Sequence, residues 1–172
     1  ADLDHASAHG YFYGVKLVRG AYMEKERERA ATLGYPSPIQ PDKSGTDTEY
    51  DACGRMMLEA LGRPDSPGRV GMVFGTHNED SNRLGAELLT SQGWNPQDAP
   101  IWFAQLYGMS DFISFVMAHH GFRVAKYLPF GPIVNVMPYL LRRAEENTSV
   151  AGQTGRELLM LRKEAARRKQ VS

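Results

Sequence analysis

The chain has 172 residues, of which 42% are apolar and 23% charged, values typical of a folded globular protein. Twenty basic side chains balance twenty acidic ones, so no net charge directs the chain towards nucleic acid. The single cysteine, Cys53, excludes an internal disulfide, and no apolar run of about 18 residues is present to span a bilayer. These features predict a soluble protein of a reducing compartment.

The first predicted elements are one strand and two helices. An apolar segment predicts a strand over residues 11–21, and strong helix formers predict a helix over 23–33. After a proline-rich loop, Thr46 or Asp47 can cap a second helix that ends near Leu61. One apolar face of this helix is formed by Tyr50, Cys53, Met57, Leu58 and Leu61.

The same order of strand and helix then repeats. Further strands are predicted over residues 69–76, 101–106 and 123–128. Helices are predicted over residues 79–92, 111–120, 132–147 and 155–170. Alternation of this kind predicts parallel βαβ units, and both an open doubly wound sheet and half of a (β/α)8 barrel satisfy it. The strands lack polar alternation, which predicts that both faces of the sheet are covered.

Polar and aromatic side chains follow the strands at their carboxyl ends, where parallel α/β proteins carry their chemistry. They comprise Arg19, Tyr22, Thr76, His77, Asn78, Gln105, Lys126 and Tyr127. Structural alternatives exist: Arg19 can pair with a neighbouring loop carboxylate, His77 can be a hydrogen-bonded structural histidine, and the tyrosines can be packing residues. No dinucleotide, P-loop or zinc motif is present. His119 and His120 lack convergent partners, so no metal site is predicted.

The helix predicted over residues 132–147 carries a candidate anion-binding site. Tyr139, Arg142, Arg143 and Glu146 are spaced three and four residues apart and therefore share one side of it. Two guanidinium groups can grip a small carboxylate, and Glu146 can hold one of them through an ion pair. The alternative is a solvated charged face, which is the usual role of such a run.

Five segments together resemble the proline dehydrogenase family in order and spacing. They are KLVRGAY from Lys16, THN from Thr76, QLYGM from Gln105, KYLPFGP from Lys126 and PYLLRRAEEN from Pro138. The resemblance implies the C-terminal half, strands five to eight, of a distorted (β/α)8 TIM-like barrel, followed by a C-terminal helix. It also implies oxidation of L-proline to Δ1-pyrroline-5-carboxylate, with hydride transfer from C5 to N5 of FAD and quinone as electron acceptor.

The resemblance implies a set of substrate-binding residues. In this set the two arginines hold the proline carboxylate and Glu146 orients them. Leu106 and Tyr139 flank the pyrrolidine ring, and Tyr127 packs beside it, where hydroxyproline-preferring relatives have a smaller polar residue. The predicted substrate-binding residues are Leu106, Tyr127, Tyr139, Arg142, Arg143 and Glu146.

The resemblance also implies a set of flavin contacts. Arg19 matches the family arginine near flavin N5, where a cation stabilises arriving electron density. Arg19 and Tyr127 are therefore the predicted catalytic residues. The predicted cofactor-binding residues are Arg19, Tyr22, Thr76, His77, Asn78 and Gln105.

Strands one to four of the barrel have no counterpart in these residues. We therefore expect that residues 1–172 form one half of the barrel, that the N-terminal half lies on a second chain or has been removed, and that this chain alone is not a competent enzyme. Met23 and the proline-rich loop after Gly34 resemble the eukaryotic branch of the family, whose members are mitochondrial. The predicted location is the mitochondrial matrix.

Several alternatives stay open. The substrate can be hydroxyproline, or the chain can be a noncatalytic barrel-derived subunit or a self-contained flavodoxin-like binding module. The last predicted helix combines leucines with six basic residues, which is typical of a docked surface helix and also of a helix resting on anionic lipid. Peripheral contact with the inner mitochondrial membrane is therefore a further expectation.

Overall fold

The computed structural model describes residues 2–20, 22–63, 70–149 and 151–171. Within its last two helices it does not describe the side chains of residues 142, 144–149, 151–157, 164 and 170–171. The chain divides into two compact units, residues 1–127 and residues 128–172. Each unit is considered by itself.

The first unit alternates strands and helices. Its elements are α1 (Asp2–His9), β1 (Tyr13–Val18), α2 (Met23–Leu33), α3 (Lys43–Leu61), β2 (Val70–Gly75), α4 (Glu79–Ser91), β3 (Ile101–Leu106), α5 (Asp111–His119) and β4 (Val124–Tyr127). The four strands form one parallel sheet in the order β1-β2-β3-β4. The predicted α/β class with a parallel sheet is confirmed.

In the first unit, one helix is not predicted and two helices begin differently from the prediction. No apolar periodicity predicts α1, in which Ala6 is the one buried residue. The predicted cap of α3 is wrong: the Asp42 carboxylate accepts a hydrogen bond from the backbone N–H of Gly45 (2.7 Å), so the helix begins at Lys43. Asp111 is the first residue of α5 and not its cap, because Ser110 occupies the capping position.

The core lies on one face of the sheet, under α3, α4 and α5. Phe74 of β2 and Phe103 of β3 are paired in register and stack with their ring centroids 5.2 Å apart. Gly85 of α4 faces both rings: a Cβ there would lie 2.9 Å from Phe74 Cζ and 3.0 Å from Phe103 Cε1. Gly54 of α3 meets Phe74 in the same way, at 3.0 Å. The two glycines let these helices approach the stacked rings.

The opposite face of the sheet is more open, and the expectation that both faces are covered is wrong. Burial in β1 alternates between half-buried and exposed residues, with Gly14, Lys16 and Val18 on the exposed side. Trp102 of β3 and Tyr127 of β4 are each 41% exposed. The apolar composition of the strands conceals this asymmetry, because glycine, valine and tryptophan contribute no polar alternation to the open face.

The second unit consists of α6 (Ile133–Ser149) and α7 (Ala151–Val171). Pro132 precedes α6 instead of opening it, since its carbonyl accepts hydrogen bonds from the backbone N–H groups of Asn135 (2.9 Å) and Val136 (3.1 Å). Helix α7 begins four residues before the predicted start. Among the described residues, no helix has the length and apolarity needed to cross a membrane.

The close packing of Gly85 predicts that adding a single methyl group at this position destabilises the fold. Gly85→Ala should lower the free energy of unfolding by about 1–2 kcal/mol, because overpacking against the stacked rings outweighs the helical preference of alanine. The matched control is Gly62→Ala at the end of α3, where φ is −80° and the nearest atom is 3.7 Å from a Cβ. Urea unfolding should leave the control unchanged or stabilised; equal losses in both variants would contradict the packing argument.

Candidate active site

The guanidinium of Arg19 joins two strands and two helices beyond the carboxyl end of β1. One Nη donates to Thr76 Oγ1 (2.7 Å) and the other to Ser81 Oγ (2.5 Å). Nε lies 2.8 Å from the Asp47 carboxylate, and Nη2 lies 3.5 Å from that of Asp51. Arg19 therefore pairs with carboxylates, as the alternative interpretation of this residue predicts. Both carboxylates lie on α3, however, and not in a loop.

Tyr50 completes the surroundings of Arg19. The guanidinium carbon lies 3.7 Å from the centroid of the Tyr50 ring, and the phenol donates a hydrogen bond to the Leu17 carbonyl (3.3 Å). Tyr50 is 3% exposed. Burial raises its pKa above the usual value of a phenol, while the charge of Arg19 acts in the opposite direction.

Gln105 belongs to a buried polar cluster on the helix-facing side of the sheet. Its amide lies 3.4 Å from the Thr76 carbonyl and from Asn82 Oδ1, and its carbonyl accepts from Ser114 Oγ (2.8 Å). Asn82 in turn donates to the backbone carbonyls of Thr76 (3.3 Å) and Asn78 (2.7 Å). Gln105 and Asn82 are each 2% exposed. Their hydrogen-bonding capacity is used within the chain.

The segment after β2 is fixed by side-chain bonds. Asn78 caps α4 by accepting from the backbone N–H of Ser81 (3.1 Å), and its own N–H donates to Thr76 Oγ1 (3.0 Å). His77 is half-buried, and its Nδ1 lies 3.0 Å from Ser110 Oγ. The structural interpretation of His77 as a hydrogen-bonded histidine thus describes one of its contacts.

The open face brings together residues of the two outer strands. The Lys16 ammonium of β1 lies 4.8 Å from the ring centroid of Tyr127 on β4. Leu106 is the register partner of Tyr127 and lies on the same face. Lys16 passes close to Gly75, where a Cβ would lie 3.3 Å from Lys16 Cε and 2.9 Å from Val18 Cγ1. Glycine at this position leaves room for the lysine side chain.

Tyr22 lies apart from these clusters. It precedes α2 with φ 61°, in the left-handed region, and its side chain is 65% exposed. The Lys25 ammonium lies 6.0 Å from its ring centroid.

Helix α6 holds the predicted anion-binding residues. Tyr139 and Arg143 are half-buried, with the guanidinium carbon 5.2 Å from the tyrosine ring centroid. The side chains of Arg142 and Glu146 lie outside the described part of the structure. The predicted ion pair between Glu146 and one of the two arginines is therefore still a prediction.

Sequence reasoning did not find Lys16, Asp47, Asp51 and Ser81 as parts of these clusters. Asp47 and Asp51 are four positions apart and therefore share the side of α3 that carries Tyr50. This spacing is visible in the sequence and could have identified them. Lys16 interrupts an apolar strand, which marks it as a side chain on a solvated or functional face. His119 and His120 are exposed with ring centroids 5.4 Å apart, and no described cluster of three His, Cys, Asp or Glu residues could hold a metal ion.

Comparison with known proteins identifies the family. The family model described as proline dehydrogenase matches residues 1–156. The chain belongs to the proline dehydrogenase family. The mitochondrial proline dehydrogenase 1 of Drosophila melanogaster is 39% identical over 97% of the chain, and the hydroxyproline dehydrogenase of Bos taurus is 40% identical over 97%. A crystal structure of proline utilization A from Bdellovibrio bacteriovorus, inactivated by N-propargylglycine, superposes with a TM-score of 0.72 and 27% identity over 87% of the chain.

The chain is much shorter than these proline dehydrogenase relatives. It covers 25% of the Drosophila protein, 36% of the bovine protein and 15% of the bacterial chain. The name of the Drosophila relative agrees with the mitochondrial localisation predicted from the sequence, which is thereby confirmed.

The network around Arg19 predicts that replacing Arg19 destabilises the fold more than replacing an exposed arginine. Arg19→Ala should lower the free energy of unfolding by about 2–4 kcal/mol, because Asp47 and Asp51 would keep their charges without the shared cation. The control is Arg83→Ala, which removes an exposed pair with Asp80 and should cost less than about 0.5 kcal/mol. Urea titrations of both variants measure the difference, and a loss as small as that of the control would refute the structural role of Arg19.

The buried phenol of Tyr50 predicts that the folded state becomes less stable at high pH. With its pKa raised, folded Tyr50 keeps its proton where the unfolded phenol, with a pKa near 10, loses it. The stabilising contribution of the protonated Tyr50 phenol is therefore fully present below about pH 10 and is lost as the pH rises further. Unfolding midpoints of the wild type should fall more steeply between about pH 9 and 11 than those of Tyr50→Phe. Parallel slopes would show that the phenol does not contribute.

Proposed function

We propose that this chain forms the substrate-binding half of a flavin-dependent proline dehydrogenase. The observation that carries the proposal is the contact of Lys16 with Tyr127 across the open face of the sheet. It gathers a cation, a phenol and the apolar Leu106 on one surface near the carboxyl ends of β3 and β4. The family and the names of its relatives supply the chemistry that such a surface would serve.

The same contact supports the half-barrel architecture. In the strand register, Lys16 of β1 lies opposite Val73 of β2, and Val73 lies opposite Trp102 of β3. Trp102 comes one residue before Phe103, where the pairing of β3 with β4 starts. On a flat sheet, three strand spacings and about four residues of rise would separate the Lys16 and Tyr127 backbones by roughly 19 Å. Two side chains cannot bridge that distance to within 4.8 Å. The sheet therefore curls with this face inside, as the wall of a barrel does.

The predicted flavin contacts near the strand ends divide into side chains that bond within the chain and side chains that are more exposed. Arg19 is held by two carboxylates and two hydroxyls, and the side chains of Thr76, Asn78 and Gln105 bond within the chain. We propose that these four hold the strand ends in position. The residues that would hold FAD are the exposed Lys16 and Tyr22 and the half-buried His77. When bound, the flavin would supply the hydride acceptor for C5 of proline.

The chain's own residues would bind and orient the substrate. Lys16 places a positive charge on the open face, where it would stabilise negative charge that develops during hydride transfer. Tyr127 and Leu106 would pack against the pyrrolidine ring. We propose that Arg142 and Arg143 bind the carboxylate, with Glu146 orienting them and Tyr139 beside them. Such positioning lowers the entropic cost of reaching the reactive geometry.

Completion of the site would need residues beyond these 172. In the described sheet β1 and β4 are the edge strands, and Trp102 and Tyr127 on the open face are each 41% exposed. We propose that a further segment, on a second chain, supplies the other strands, and that quinone accepts the electrons. The described residues of α7 expose Leu158 and Leu161 beside Arg162 and Lys163, which supports a peripheral contact with anionic inner membrane.

Hydroxyproline is the second candidate substrate, favoured by the 40% identity to the bovine hydroxyproline dehydrogenase. Tyr127 favours proline, because its ring occupies space that the added hydroxyl of hydroxyproline would need.

Replacement of Tyr127 tests the assignment. In a preparation that joins this chain with the remaining strands, Tyr127→Ser should lower kcat/KM for L-proline about tenfold and shift preference towards hydroxyproline. Tyr35→Ser is the matched control, since Tyr35 is 39% exposed and lies in the loop after α2. Dye reduction with each substrate measures the ratio. An unchanged preference would refute the role of Tyr127, and turnover by the chain alone would refute the need for a second segment.

A further inference from the structure

Lys126 of β4 contacts both ends of the turn from β3 into α5. It lies opposite Gln105 in the register, so its side chain points to the helix side of the sheet, whereas that of Tyr127 lies on the open face. The ammonium donates a hydrogen bond to the Met109 carbonyl (2.7 Å). It also lies 2.7 Å from Oδ1 of Asp111, the first residue of α5. One cation thus joins β4, the loop before α5 and the start of that helix.

The loop that Lys126 holds, residues 107–110, is short and has an unusual backbone. Its φ angles are 74° at Gly108 and 51° at Ser110, and both values lie in the left-handed region. For a serine this conformation costs free energy, so it persists only where the surrounding structure enforces it. The Met109 carbonyl, which accepts the Lys126 hydrogen bond, directly precedes Ser110. The ammonium therefore helps to hold the loop in this conformation.

The same loop is bonded to the two residues that would pack against the pyrrolidine ring. The backbone N–H of Met109 donates to the Leu106 carbonyl (3.1 Å), and that of Tyr107 donates to the Tyr127 carbonyl (3.0 Å). Leu106 and Tyr127 are register partners at the carboxyl ends of β3 and β4. The position of the loop therefore affects how the two strand ends, and with them these two side chains, are spaced.

Packing alone does not account for a lysine at this position. Val124, two residues earlier on the same side of β4, packs against the core, and an apolar side chain would serve that purpose. The Lys126 side chain is 25% exposed, and withdrawing an ammonium from water costs free energy that its partners must offset. Asp111 is 57% exposed, and an ion pair with such a residue contributes little by itself. The loop carbonyl is therefore the partner that most favours a lysine here.

We infer that Lys126 is a positioning residue, which acts through residues 107–110 on the spacing of Leu106 and Tyr127 and thereby on the choice between proline and hydroxyproline. The inference rests on the proposed function, in which these two side chains flank the substrate ring. Hydroxyproline differs from proline by one ring hydroxyl, so the space between the two side chains decides how well each substrate is bound. Lys126 would act without itself touching substrate or flavin.

Lys126→Met removes the ammonium and keeps an unbranched side chain. In the chain alone, hydrogen exchange of the Tyr107 and Met109 amides should become about tenfold faster, whereas the Phe103 amide inside the sheet keeps its rate. In a preparation that contains the remaining strands, KM for L-proline should rise about tenfold and kcat should stay within about threefold, because contacts to the ring bind ground state and transition state alike. The ratio of kcat/KM for proline to that for hydroxyproline should fall about fivefold.

Two further variants separate the loop contact from the ion pair. Lys126→Arg keeps a charged donor and should recover most of the lost substrate ratio. Asp111→Asn keeps the bond from Lys126 to the Met109 carbonyl and should change the ratio less than Lys126→Met does. An equal change in Asp111→Asn would place the effect in the ion pair and contradict the role of the loop.

Arg83→Met is the matched control, because it removes an exposed ion pair with Asp80 on α4. It should leave exchange rates, KM and substrate ratio unchanged. Unchanged exchange in Lys126→Met would overturn the inference, and so would faster exchange with an unaltered KM and substrate ratio, which is the result of a purely structural role. If the wild type oxidises neither proline nor hydroxyproline, the proposed function fails, and the exchange rates still decide whether Lys126 holds the loop.

Discussion

The arrangement of the first unit depends on the single cation of Arg19. Its guanidinium donates hydrogen bonds to a hydroxyl after β2 and a hydroxyl on α4, lies within ion-pair distance of two carboxylates on α3, and stacks its flat face on Tyr50. A lysine has neither the planar fork nor the reach to make these contacts together. Because these partners lie after β2, on α3 and on α4, the guanidinium fixes the distance between the strand ends and the helix layer at the edge where the site is built.

The two faces of the sheet carry side chains in different environments. Alternation along a strand sends Arg19 and Leu17 towards the helices and Lys16 and Val18 towards the open face. Two basic residues three positions apart therefore have opposite environments: Arg19 is neutralised by carboxylates, and Lys16 faces an aromatic ring across the open surface. Of these two cations, Lys16 is exposed and Arg19 is half-buried.

The sequence predicts the parallel α/β class well, because each strand of apolar residues is followed by a helix of ordinary length. It does not predict which face each polar side chain occupies. The register that pairs Leu106 with Tyr127, and the curl that brings Lys16 to the same ring, depend on contacts between residues far apart in the chain. The cap of α3 is missed for a local reason, since three hydrogen-bonding side chains, Asp42, Thr46 and Asp47, compete for that role.

Gly75 shows how the two faces are coupled. On the open face, a Cβ at this position would collide with Val18 and press on Lys16, so the lysine lies across β2 only because residue 75 has no side chain. The next residue, Thr76, turns to the helix side and receives the Arg19 hydrogen bond. Gly75, the last residue of β2, and Thr76, the residue after it, thus support one cation on each side of the sheet. Any change in the twist of this strand would alter both contacts, which links the stability of the helix layer to the geometry of the open face.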